Sequence, residues 1–152
     1  MRGISLALLL AATPALASQY PLDQASQIIP RADAKKFRRA GIRTTLDILL
    51  HGRTAADRQA LASRTGFSIE KIQAWVLLTD LLRVRGIGPD VARLMSAVGI
   101  RTIADLQRAD PTVAASAMRD FNSRSHFSPN PPGAESVSYW IVQARELPVV
   151  LE

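Results

Sequence analysis

Gly86-Ile87-Gly88-Pro89, with Arg83 and Arg85 before it and Ala92 after it, is the stretch of this 152-residue chain best suited to a chemical task. That task is holding an anion through the backbone. Two glycines let the main chain form a tight hairpin. Ile87, between them, can plug the gap between two helices. Pro89 suits the first turn of a following helix, where its missing N–H costs nothing. Ala92 is small enough for close helix contact. The free N–H groups at such a helix start favour a phosphate. The candidate contacts here are Arg83, Arg85, Gly86, Ile87, Gly88, Val91 and Arg93. Asp90 is a departure: an acid in the first turn suits the helix dipole but repels an incoming phosphate.

A second concentration of charge lies upstream. From Arg31 to Arg43 there are six basic residues against Asp33 alone, a balance of 6 − 1 = +5. From Arg83 to Arg101 it is 4 − 1 = +3. The better hairpin is therefore the less basic stretch. A nucleic-acid groove could use both, with the Gly86–Pro89 turn as the clamp and Lys35, Lys36 and Arg39 as an electrostatic flank. The competing reading is that these residues are solvated helix faces on a scaffold domain.

Other chemistries find no support in the residues. The chain has no cysteine, which excludes disulfides, thiolate metal sites and cysteine nucleophiles. His51 and His126 have no partner at metal-ligand spacing. No Walker-type loop, G-x-S-x-G or H-E-x-x-H occurs. No enzyme activity, cofactor, metal or small-molecule substrate is expected. The whole chain has 19 basic and 13 acidic residues, a net charge of +6, which suits an anionic partner without choosing one.

The elements that must carry these residues read as helices. Aromatics are only 5% of the chain, and alternating β-branched runs are rare, "LPVVLE" at the C-terminus coming nearest. Ile69, Ile72, Trp75, Val76 and Thr79 fall on one helical face, continued by Leu82. Ala92, Met95 and Val98 follow similar spacing, with Leu94 alongside. Eight to ten short helices are expected, in a nearly all-α chain.

An internal repeat organises them. "GIRT" occurs at Gly41–Thr44 and again at Gly99–Thr102. With a shift of 58, Ala34 meets Ala92, Phe37 meets Met95 and Asp47 meets Asp105. With a shift of 65, Glu70 meets Glu135 and Trp75 meets Trp140. The difference, 65 − 58 = 7, points to an insertion in the Ser-, Pro- and Asn-rich stretch 122–133. Each GIRT has a structural reading. The glycine ends one helix in the left-handed conformation, the isoleucine folds back, and the threonine caps the next helix with an acid three residues on. Arg43 and Arg101 are the weaker binding candidates within it. Trp75 and Trp140 occupy equivalent positions on apolar faces and are expected to be core anchors. In the first copy Ile29-Pro30-Arg31 replaces the glycine hairpin.

GIGP with Ala92 resembles the hairpin of the helix-hairpin-helix family, which holds nucleic-acid phosphates through backbone N–H groups without reading sequence. The GI-T--DL phrase and the Trp-bearing helix are similar to the bacterial group known as domain of unknown function 4332. The resemblance implies a fold: all-α, two helix-hairpin-helix units in a SAM-like bundle of short helices. It implies no activity.

Residues 1–17 have the layout of a secretory signal peptide: Arg2, an apolar run Ile4–Ala12, and Ala15-Leu16-Ala17 before Ser18. The run is too short to span a bilayer, and no transmembrane segment is expected in the rest. The first unit then covers 18–83 and the second 84–152. The expected protein is exported, to the periplasm or beyond, and binds DNA or RNA backbone. The alternative is a protein–protein scaffold of the periplasm or envelope.

Overall fold

The computed structural model describes residues 19–152, so the leader expected over 1–17 lies outside the described residues. Among the described residues there are eight helices and no strand. They are α1 (Arg31–Arg39), α2 (Thr45–Leu50), α3 (Ala55–Thr65) and α4 (Ile69–Leu81), then α5 (Pro89–Ala97), α6 (Ile103–Arg108), α7 (Pro111–Ser125) and α8 (Ala134–Arg145). The chain is all-α. None of these helices is long and apolar enough to cross a membrane.

Local chemistry explains the short helices. Gly41 and Gly99 take φ of +82° and +92°, the left-handed conformation in which glycine has no Cβ penalty. After them Ile42 N–H donates back to Phe37 O (3.0 Å), and Ile100 N–H to Met95 O (2.9 Å). These bonds satisfy carbonyls the helices leave open. Two residues later Thr44 and Thr102 each accept from the N–H of Asp47 and Asp105 (3.1 Å). The carboxylates accept in return from the threonine N–H groups (2.9 and 3.0 Å). Both GIRT phrases thus stop one helix and start the next, as their composition implies. A third capping box, Thr54 with Asp57, starts α3.

The boxes of Asp57 and Asp105 make stability depend on acid. Hydrogen bonding to the Thr54 side chain and backbone N–H holds the Asp57 carboxyl below the usual carboxylate range. Burial pushes the Asp105 carboxyl up, but bonds from Arg101 N–H and from the side chain and backbone of Thr102, with the Arg108 charge, outweigh that and lower it. A carboxyl lowered on folding stabilises the fold above its unfolded value of about 3.9. That contribution is lost as pH falls through the lower folded value. Melting temperature should therefore drop on acidification below about pH 4. Asp105→Asn should melt lower at neutral pH and lose less on further acidification. A circular-dichroism melt at each pH reads both.

The core gathers around α4. Helices α2 and α3 pack on it from one half, and α5 connects it to α7; α8 packs on α6 and α7. The face read from spacing is inside: Ile72, Trp75, Val76, Thr79 and Leu82 are buried, with Ile69 partly so. Asp80 and Leu81 are buried as well, because α4 has neighbours on more than one side. Phe37, Phe67 and Trp75 form a triangle with ring centroids 4.9–5.1 Å apart. Trp75 Nε1 donates to Ile28 O (2.8 Å), anchoring the segment before α1. Trp140 is buried on α8. Both tryptophans are core anchors.

Gly52 sets the approach of the α2–α3 turn to α4. A Cβ there would lie 2.3 Å from Val76 Cγ2 and 3.0 Å from Ile48 O. Gly52→Ala should destabilise the fold by about 1–3 kcal/mol through overpacking. Adding Val76→Ala should recover part of the loss, read by urea denaturation.

The C-terminal "LPVVLE" forms no strand; it runs back across the α2–α3 turn and the end of α4. Arg83 Nη2 donates to Pro148 O (2.8 Å) and Glu152 N–H to Arg53 O (3.0 Å). Buried Arg58 donates to the carbonyls of Gly52, Arg53 and Glu152 (2.8–3.0 Å).

Candidate nucleic-acid interface

The α4–α5 turn takes the shape its residues allow. Gly86 has φ of +94°. Ile87 is fully buried, and Pro89 opens α5 behind Gly88, which has no side-chain cap to offer. Ile87 N–H donates to Val84 O (3.2 Å), and Gln143 Nε2 donates to Arg85 O (3.1 Å). Ala92 is fully buried.

The two glycines have internal neighbours. A Cβ on Gly86 would meet Trp140 Nε1 at 3.0 Å. A Cβ on Gly88 would meet Asp90 Oδ1 at 3.2 Å and Tyr20 Oη at 3.9 Å. Asp90 is itself held, accepting from Ser128 Oγ (2.6 Å). Ser128 is locked by Asn122, whose side chain bonds both its N–H and its carbonyl. The 122–133 stretch thus fixes a carboxylate at the start of α5. The absence of side chains at Gly86 and Gly88 serves packing, whatever else it serves.

The arginines around this turn differ in freedom. The Arg83 side chain is 9% exposed and pairs with Asp80 (2.9 Å) as well as Pro148 O, so its charge faces inward. Arg93 lies flat on Phe127, its guanidinium carbon 3.7 Å from the ring centroid, a cation–π stack. Arg85 is exposed. Val91 is buried and offers only its backbone.

The free charge is on α1. Its apolar residues Ala34 and Phe37, one turn apart, are buried. Arg31, Lys35, Lys36, Arg38 and Arg39 are all exposed, and so is Arg43 beyond them. Among the described residues none of the six side-chain cations lies within 4.0 Å of a carboxylate. Asp33, the acid among them, pairs with Lys71 (2.8 Å). Lys36 Nζ sits 5.0 Å above the Phe67 ring. Arg64 from α3 donates to Ala40 O at the end of α1, adding a seventh exposed cation to the same end.

Helix α1 packs on α3 and on the Phe67–Trp75 end of α4, whereas α5 packs on α4 and α7. Lys35, Lys36 and Arg39 thus stand on a helix with packing partners different from those of α5, which carries Arg93. Arg31 and Arg38 were countable as charge in the sequence. Their place in one exposed face follows from the single apolar stripe of "RADAKKFRR", in which only Ala34 and Phe37 can turn inward. Among the described residues no group of three or more His, Asp or Glu is placed to hold a metal ion.

The chain is thus an all-α protein of short, capped helices with one strongly basic helix face and a glycine turn beside Trp140. It belongs to the family described as domain of unknown function (DUF4332), whose model matches residues 27–147. No curated protein and no solved structure matches it.

Proposed function

We propose that this protein is a non-catalytic, exported binder of nucleic-acid backbone, recognising polyanion charge without reading sequence. The observation that carries this reading is the exposed, unneutralised α1 face. Five cations in nine residues, with no carboxylate paired to them, make a standing positive field. Phosphates relieve it and release counterions on binding. The interface centres on Arg31, Lys35, Lys36, Arg38 and Arg39, with Arg85 and Arg93 as a separate, weaker contact.

We read the architecture as two fused helix-hairpin-helix units. Support comes from helix lengths, which run 9, 6, 11 and 13 residues and then 9, 6, 15 and 12. It also comes from the tryptophans. Trp75 Nε1 donates to Ile28 O, and Trp140 Nε1 lies 3.0 Å from where a Cβ on Gly86 would stand; Ile28 and Gly86 correspond under the shift of 58.

One observation favours a second reading, an envelope scaffold that keeps the fold without nucleic acid. Trp140, Asp90 and Tyr20 account for Gly86 and Gly88 by internal packing alone. A titration of labelled duplex DNA at several salt concentrations separates the two. The binding reading expects sequence-independent affinity that falls steeply with salt. Lack of binding at low salt, with one protein copurifying in stoichiometric amount, would establish the scaffold instead.

A further inference from the structure

A cleft of about 280 Å³ opens on the first half of the molecule, lined by Asp23, Arg31, Ala34 and Arg38. At ~30 Å³ per water it has room for roughly nine, enough for one sugar–phosphate unit. Arg31, Ala34 and Arg38 stand at i, i+3 and i+7 and so share one face of α1. The arginines are about 10 Å apart along the helix axis. Both are long enough to converge over the small Ala34.

Asp23 lines the cleft with them. It sits in a turn fixed by backbone bonds, Leu22 N–H to Arg43 O (3.0 Å) and Gln24 N–H to Pro21 O (2.9 Å). It pairs with neither arginine within 4.0 Å. A carboxylate in a basic cleft repels a bare phosphate, so a site for phosphate alone would be better without it. The combination suits a ligand that presents an anion and, beside it, a hydroxyl donor. Guanidinium forks match phosphate oxygens, and an ionised carboxylate only accepts. In an RNA backbone the 2′-hydroxyl stands on the carbon next to the one bearing the 3′-phosphate, and it is the group that distinguishes RNA from DNA.

We propose that this cleft binds one ribose–phosphate unit of RNA, with Arg31 and Arg38 on the phosphate and Asp23 accepting a hydrogen bond from the 2′-hydroxyl. The proposal rests on the polyanion reading of the α1 face and adds a preference within it.

The test compares a short oligouridylate with the oligodeoxyuridylate of the same length, each titrated by fluorescence anisotropy against the full chain at fixed salt. The ribo-oligomer should bind about tenfold more tightly, the scale of one charge-assisted hydrogen bond. Asp23→Ala should bring the ratio close to one without weakening the deoxy-oligomer. Lys35→Ala should weaken both oligomers alike. An unchanged melting curve establishes that Asp23→Ala folds, as expected for an exposed turn residue; Asp23→Asn, which keeps an acceptor, replaces it if not, and should lower the ratio too. Equal affinity of the wild type for both oligomers overturns the proposal and leaves the polyanion reading standing. A ribo-preference that survives both substitutions also overturns it. Binding of neither oligomer at low salt removes the polyanion reading and the proposal together.

Discussion

Asp80→Ala should cost about 3–5 kcal/mol of folding stability, the scale for removing one partner of a buried ion pair. The side chains of Asp80 and Arg83 are 5% and 9% exposed, and Oδ1 of the aspartate accepts from Nη1 of the arginine at 2.9 Å. Oδ2 accepts from Ile103 N–H (3.0 Å), one of the open amides at the start of α6. Through this residue α4 holds α6 and, by way of Arg83, the C-terminal segment at Pro148. Alanine would leave a guanidinium without its counter-charge and an amide without its acceptor. Small domains have only about 5–15 kcal/mol to lose, so a large part of the stability should go. The measurement is urea denaturation followed by circular dichroism, with the slope checked against wild type. A double change that removes both charges, Asp80→Leu with Arg83→Met, should recover much of the loss, because the stranded charge is gone. If the double variant were as unstable as Asp80→Ala, the Ile103 amide rather than the ion pair would be the dominant loss.

The same pair marks where reading the sequence reached its limit. Arg83 stands beside a glycine hairpin and reads there as a cation free for phosphate; its acceptors are three residues back and 65 residues on. Arg58 reaches Glu152 across 94 residues. Asp80 stands at the local i,i+3 spacing, but nothing local signals the partners 65 and 94 residues away. What was legible was what the chain decides within one turn. Gly41 and Gly99 end helices through their own φ, and Thr44 and Thr102 cap through an aspartate three residues away. The apolar face of α4 was legible from spacing, but its burial on further sides was not, since periodicity describes one face and not the number of neighbours. The turn at Gly86 and the start of α5 at Pro89 were legible. Their neighbours were not, because Tyr20 and Trp140 come from distant segments and Ser128, which holds Asp90, from another. The basic face of α1 was half legible: the charge count was plain, whereas Asp23 joins its cleft only through the pinned turn before the helix.

A combined Lys35→Ala, Lys36→Ala, Arg39→Ala variant should lower affinity for duplex DNA by on the order of a hundredfold at low salt. The figure follows from about 1 kcal/mol per unit charge near a phosphate in a water-like dielectric, with about 1.4 kcal/mol per tenfold. The slope of log K against log salt should become shallower by about 0.9 for each phosphate that is no longer neutralised, and the two measures should agree. Two side effects need separating from it. Lys36 and Arg39 lie in the last turn of α1, where cations favour the helix dipole, and Lys36 sits over Phe67. Some stability therefore goes with the charge, although alanine's helix propensity offsets part of it. A melting curve, and binding measured well below the melting temperature, separate the two. Arg85→Ala is the control at the glycine turn, removing one exposed charge there. If the α1 face carries the interaction, this change should move affinity by less than tenfold and shift the salt slope by no more than a single phosphate would. If instead Arg85→Ala matched the triple variant, the interface would lie at the glycine turn despite the carboxylate of Asp90 beside it, and the field of α1 would be a solvated surface.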